Sequence, residues 1–260
     1  MKPAIVVTGA SSGIGRELAR VAAREGDAMV LIGLSQPNLD DLAAELSAGG
    51  AQARAWSIDL GERDAGQRIE DKLAETGFYC DVLVNCAGFG VFGPAAETDR
   101  AQHLKLLDVN VRALTELTLR FLPGMIARQR GGVINVGSIT SSAPGPRMST
   151  YFASKAYVGS FTAAVAAEVR GTGVTVTCLC PGVVRTAFFE RCRVGKTWLF
   201  KLAPRGNAPA IAEAGWRGFR AGKRLVIPRL IDRIIVAGAS LLPKSVVLWL
   251  VAVLMTPAGD

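Results

Sequence analysis

Along the chain, short continuous apolar runs alternate with longer stretches in which apolar residues recur every three or four positions. The runs AIVVTG, AMVLIG, ARAWSID, DVLVNCAG, GVINVGS and VTVTCLCPG have strand length. Ile14 to Arg24, Leu39 to Leu46, Ile69 to Glu75, about 99 to 128 and about 149 to 170 have the helical period. Strands written as nearly continuous apolar runs are those covered on both faces, so the pattern predicts a parallel sheet with helices on each side, a doubly wound α/β domain. RLVIP at 224–228 predicts the last strand. No linker, low-complexity tract or repeat interrupts the pattern, which gives one domain over 1–228 and an apolar extension over 229–260.

Composition narrows the class. Half of the 260 residues are apolar, enough for a sizeable core. The five cysteines are odd in number, lack CxxC spacing and lie mostly in apolar runs, so they read as reduced, buried thiols in a cytoplasmic protein. The N-terminal apolar run is too short for a signal peptide and passes directly into a glycine motif. The net charge of +8 is uneven: residues 185–260 carry +9 and residues 1–184 carry −1. No helix-turn-helix, zinc-finger or RNA-binding pattern accompanies it, so no nucleic acid partner is expected. The lone His103 falls in the long helix as a packed or surface residue, and no metal site is visible.

The first strand runs into TGASSGIGR, with Gly9, Gly13 and Gly15 at the turn and a helix beginning near Ser12. Glycine permits a tight turn and close approach to a ligand, and a helix N-terminus offers unpaired N–H groups to a diphosphate. Later, YFASK sets Tyr151 and Lys155 at i and i+4 on one helix face. An ammonium beside a phenol stabilises the phenolate and lowers the phenol's pKa, which suits a general acid or base; the same spacing also fits an ordinary packed tyrosine and solvated lysine.

Six motifs in order, TGASSGIG, NCAG at 85–88, DVNV at 108–111, VGSI at 136–139, YFASK at 151–155 and PGVVRT at 181–186, resemble the short-chain dehydrogenase/reductase family of about 250-residue subunits. The resemblance covers roughly residues 3–186 and departs at Cys86, where the family more often has asparagine. It implies a Rossmann-like fold, a nicotinamide cofactor, and Asn110, Ser138, Tyr151 and Lys155 as catalytic residues. Tyr151 would move the proton, Ser138 would hold the substrate oxygen, Lys155 would tune the phenol and hold the ribose, and Asn110 would hold a relay water. It implies cofactor contacts from Gly9, Ser11, Ser12, Gly13, Ile14 and Gly15 in the turn, and from Ser35 after the second strand. Asp59 and Leu60 would follow the third strand, then Asn85, Ala87 and Gly88. Tyr151 and Lys155 would themselves touch the cofactor, and Pro181, Gly182, Val184 and Thr186 would hold the nicotinamide. At the end of the second strand the family places an acid for NAD or a base for NADP; Gly33 and Leu34 stand there instead. With the excluding acid absent, NADP(H) is favoured over NAD(H). The family also implies a homodimer or homotetramer.

A substrate lid is expected over 187–222. Phe188, Phe189, Trp198, Leu199 and Phe200 would form an apolar wall, and Arg191, Arg193, Lys196, Lys201 and Arg205 outnumber Glu190. That composition fits an apolar carbonyl or alcohol, with or without an anionic head or acyl thioester, and equally a packed lid with solvated cations. Residues 229–260 read as two helices broken at Pro243 and Lys244, each too short to span a bilayer. They would cover the core, meet another subunit or lie on a membrane surface. The chain is thus expected to be an NAD(P)(H)-dependent oxidoreductase of an apolar carbonyl or secondary alcohol. The alternatives are a 3-oxoacyl-thioester reductase and a nucleotide-binding sensor without turnover.

Overall fold

The computed structural model describes residues 1–184, 186, 188, 192 and 197–258. Seven parallel strands form one sheet in the order β3-β2-β1-β4-β5-β6-β7: β1 (Lys2–Thr8), β2 (Ala28–Gly33), β3 (Ala53–Ser57), β4 (Phe78–Asn85), β5 (Gly132–Val136), β6 (Thr175–Leu179) and β7 (Leu225–Val226). The order reverses between β1 and β4, where Val6 pairs with Val30 on one side and Leu83 on the other. This is the expected doubly wound, Rossmann-like architecture.

Alternate residues of the central strands feed two cores. Ile5, Val7, Met29 and Leu31 face α1 (Gly13–Ala23), α2 (Gln36–Ala48) and Trp216 and Phe219 of a later helix. Ala4, Val6, Val30 and Ile32 face α3 (Ala65–Glu75), α5 (Leu114–Ala127) and α6 (Ser149–Glu168). Both faces of each central strand are therefore dry, which is why those strands read as unbroken apolar runs.

The long helix expected over 99–128 is present but not uniform. Asp99 caps α4 (Arg100–Leu107) by accepting from Ala101 N, and a π-helical segment over Asp108–Ala113 joins α4 to α5. Such a segment inserts an extra residue in the turn and re-aims its side chains, and it frequently marks a functional site. β7 is shorter than RLVIP suggested, with only two paired residues. Beyond β6 come α7 (Trp198–Leu202), α8 (Ala208–Arg220), which packs on α1, and the apolar pair α9 (Leu230–Leu241) and α10 (Lys244–Leu254).

Candidate active site

The C-terminal edge of the sheet is organised by the turn after β1. Gly9 has φ +67°, and a Cβ there would lie 2.9 Å from Ala87 N and Cα; one on Gly15 would strike Gly9 O. Side chains at either place would separate β1, α1 and the chain leaving β4. Thr8 closes the junction: its Oγ1 donates to Val84 O (3.2 Å) and accepts from Cys86 N (3.0 Å) and Ala87 N (3.2 Å). The first turn of α1 has no acidic residue and its N-cap, Ser12, uses no side-chain cap, so the helix N-terminus faces a cavity of about 900 Å³. Ser11, Ser12, Gly13, Arg16, Thr186 and Lys201 are among the residues lining it. Unpaired N–H groups with cations nearby fit an anionic dinucleotide diphosphate.

The remaining expected cofactor positions lie along the same edge, with two qualifications. Ser35 is the N-cap of α2 beside an exposed Leu34. Asp59 accepts from Gly61 N (2.8 Å) and pairs with Lys105 (2.9 Å). Burial pushes its carboxyl up, but those two partners outweigh burial and hold it below the usual carboxylate range. Leu60 is buried in the lower core beside Ile58 and Ala65, so only its backbone is left for a ligand. Asn85 corrects the expectation more sharply. Its amide turns inward and donates to Asn135 Oδ1 (2.9 Å) and Thr118 Oγ1 (3.1 Å), and Asn135 in turn donates to Thr162 Oγ1 (3.1 Å). The side chain of Asn85 thus ties β4 to β5 and α5 instead of lining the cleft. Pro181 accepts from Ile139 N (3.1 Å), Val184 bridges to Gly206, and Gly182 lies directly against the Arg229–Asp232 ion pair.

All four expected catalytic residues meet beneath this edge. Ser138 follows β5 and caps the short 3-10 turn Ile139–Ser142, its Oγ accepting from Thr140 N (3.2 Å). Ser141 anchors that turn to α6 by donating to Ser138 O (2.6 Å) and Lys155 O (2.8 Å). Asn110 sits in the π-helical segment and clamps the loop after β4: its Nδ2 donates to Phe89 O (3.0 Å) and Ser154 Oγ (3.2 Å), and its Oδ1 accepts from Phe89 N (3.1 Å). A Cβ on Gly88 would lie 3.0 Å from Asn110 Oδ1 and 3.7 Å from Lys155 Nζ, so these three form one cluster.

Lys155 is buried and donates to Val136 O (2.7 Å), with its ammonium 5.9 Å from the centre of the Tyr151 ring. Burial lowers the Lys155 pKa, the thiols of Cys86, Cys178 and Cys180 opposing it. Burial also pushes the Tyr151 phenol up, and only the hydrogen bond with Ser138 favours its ionised form. In this arrangement burial is the larger influence on the phenol, and Lys155, with one of its three N–H donors on Val136 O, stands 5.9 Å from the ring centre.

The apolar wall is broader than the sequence indicated. Phe188 lies 5.3 Å from Tyr151 between ring centres, and both pack with Leu199 against Met148, Phe152, Cys192 and Met255. Trp198 is instead partly exposed, with Lys201 over its ring. Phe189, Glu190, Arg191, Arg193, Lys196 and the side chain of Phe200 lie outside the described residues. Phe152 lies inside YFASK, next to Tyr151, whereas nothing local marks Met148 or Met255. His103 bridges Thr98 (2.5 Å) and Thr150 (2.7 Å), and no metal-binding group of three occurs among the described residues.

A family model described as short chain dehydrogenase matches residues 3–196. The chain belongs to the short-chain dehydrogenase family. It is 39% identical over 184 residues to a short chain dehydrogenase of Pseudocercospora fijiensis, covering 70% of this chain and 59% of that protein. Over 190 residues it is 35% identical to sulfoacetaldehyde reductase 2 of Chromohalobacter salexigens, covering 72% and 75%. A solved short-chain dehydrogenase from Sphingobium yanoikuyae in complex with NADPH superposes with a TM-score of 0.80 at 27% identity, covering 94% of this chain and 97% of that one. The matched domain is thus that of an NAD(P)-dependent oxidoreductase of the CH–OH/C=O type.

In this short-chain dehydrogenase the junction at Gly9 and Gly15 brings β1, α1 and the chain leaving β4 into close backbone contact. Gly15→Ala is expected to cost about 1–3 kcal/mol by overpacking and to weaken nicotinamide dinucleotide binding about tenfold or more. Urea unfolding and fluorescence titration measure the two; no change in either would refute the close approach.

Proposed function

We propose that the protein is an NADP(H)-dependent oxidoreductase that interconverts the carbonyl and secondary alcohol of an apolar substrate. The observation that carries this reading is the meeting of a partly buried Tyr151 with the Ser138 hydroxyl beside an apolar wall that includes Phe188, Phe152 and Met255. The nicotinamide, when bound, supplies or accepts the hydride. Ser138 orients the substrate oxygen by hydrogen bonding. Tyr151 Oη gives its proton to the oxygen as negative charge develops, and takes it back in the oxidative direction. Lys155, its ammonium 5.9 Å from the Tyr151 ring centre, offsets the negative charge left on the phenolate, and the Asn110 clamp on Phe89 keeps Gly88 and Lys155 in register. A second reading, a reductase of 3-oxoacyl thioesters, is favoured by Lys201 and Arg205 beside the cavity, which suit an anionic carrier.

The absence of a carboxylate at Gly33 supports NADP(H), since that acid would pair with the ribose diol and repel a 2′-phosphate. Arg16, a distant cation on α1, pairs with Glu45 at 3.5 Å. The reading also includes a cytoplasmic homodimer or homotetramer: the outer side of α4 and α5 exposes Leu104, Leu107 and Leu119, and the Cys178 and Cys180 thiols lie 3.4 Å apart as a hydrogen-bonded pair.

Tyr151→Phe is expected to lower turnover of an apolar ketone by about 10²–10⁴-fold while leaving dinucleotide affinity unchanged; full turnover would end the reading, and a sensor without turnover would show none in either form. NADPH is expected to bind about tenfold or more tightly than NADH, as one charge-assisted hydrogen bond allows, and equal or reversed titrations would remove the NADP assignment. Native mass measured on the purified cytosolic protein tests the assembly; a particle of one 27.4 kDa chain, or recovery as an exported protein, would contradict it.

A further inference from the structure

The extension after β7 is the most apolar surface of the described molecule, and it is not hidden. Leu230, Ile231, Ile234, Ile235 and Leu241 of α9 are exposed, as are Leu242 between the helices and Val246, Leu248, Trp249, Leu250 and Val253 of α10. Single exposed apolar residues are ordinary, but a continuous field of them marks an interaction site. These helices are not a loose tail. α10 buries Val247; Val251 and the following Met255 join the cluster of Met148, Phe152 and Cys192 on which Tyr151 also packs, and Trp198 N donates to Thr256 O (3.2 Å), so this end of the chain adjoins the cleft. At the other end, Arg229 and the buried Asp232 bind each other against Gly182 and fix α9 to the loop after β6.

Two features identify the occupant. From 229 to 258 Asp232 is the only acid, and it is buried in its ion pair, whereas Arg233 and Lys244 are exposed. A second copy docking by the same patch would set cations against cations with no exposed carboxylate from this stretch to offset them, because a two-fold contact opposes a surface to itself. The helices are also too short to enter as a span: 12 and 11 residues extend about 18 and 16 Å, against about 30 Å of hydrocarbon. Among the described residues no helix is long and apolar enough to cross a membrane.

We infer that the outer surface of α9 and α10 docks on the face of an anionic lipid bilayer, its leucines, isoleucines and Trp249 entering the headgroup boundary while Arg233 and Lys244 meet acidic headgroups. Apolar area and basic charge act together in such binding, and an exposed tryptophan suits the interface. One residue of each helix is buried against the domain, Asp232 on α9 and Val247 on α10. The docking surface lies one helix diameter from the Tyr151 wall, about 10–12 Å. It stands on surface chemistry alone and is independent of the reaction assigned to the cleft.

Flotation of the full chain with phosphatidylcholine vesicles, with and without phosphatidylglycerol, tests it. Binding is expected with phosphatidylglycerol, weakening as salt is raised, with a blue shift of Trp249 emission obtained as the difference from Trp249→Phe. The pair Arg233→Glu and Lys244→Glu is expected to lower vesicle affinity about tenfold or more. An acid at the N-terminus of α10 favours that helix, and unchanged circular dichroism and thermal midpoint show that the fold is kept. Protein that stays unbound at low salt, or binds equally without phosphatidylglycerol, overturns the inference. So does a drop in native mass on Trp249→Ser, which would make the surface a contact between copies.

Discussion

The rest of the molecule depends on how closely three pieces of backbone approach at the point where the strand order reverses. Gly9 meets Ala87, Gly15 meets Gly9, and the Thr8 hydroxyl satisfies Val84, Cys86 and Ala87 at once. Only a residue without Cβ fits the first two places, and only a short hydroxyl both donates and accepts in the third. From this junction the helix N-terminus is aimed over the sheet edge, and the chain leaving β4 is placed where Asn110 can clamp Phe89. The cavity at the helix N-terminus and the cluster of Asn110, Gly88 and Lys155 thus share one origin.

Buried polar groups carry that order deeper. Asn85, Asn135, Thr118 and Thr162 link the two central strands to α5 and α6 through hydrogen bonds, and Lys155 is held on Val136 O. Leaving such a group unpaired inside a protein costs about 1–3 kcal/mol, so the strands and helices are locked in one register. The same burial acts on the chemistry: it pushes the Tyr151 phenol up and Lys155 down.

The C-terminal helices join packing to function. Their inner residues close the apolar side of the cleft and their outer residues remain uncovered. The ion pair of Arg229 with the buried Asp232, set against Gly182, joins the loop after β6 to the extension. A change at the outer surface therefore acts on an element that also contacts the active-site wall.

The fold was legible because a strand dry on both faces has to be written as an apolar run, and a helix between such strands has to keep its period. The glycine turn, Ser138, Tyr151 and Lys155 were legible because motifs with fixed spacing lie on single elements. Asn85 misled, since its side chain can point to either face of β4 and only the presence of Thr118 and Asn135 decides which. The sign of the Tyr151 shift was also out of reach. Spacing puts the ammonium on the same helix face, but burial and the Val136 carbonyl, contributed by another strand, determine where it points. Met255 entered the cleft wall from more than a hundred residues away, where no local pattern could announce it. What the sequence by itself determined was each element and the chemistry it carries; what only the tertiary structure decided was which groups lose water and which partners they then meet, because desolvation depends on neighbours that are distant along the chain.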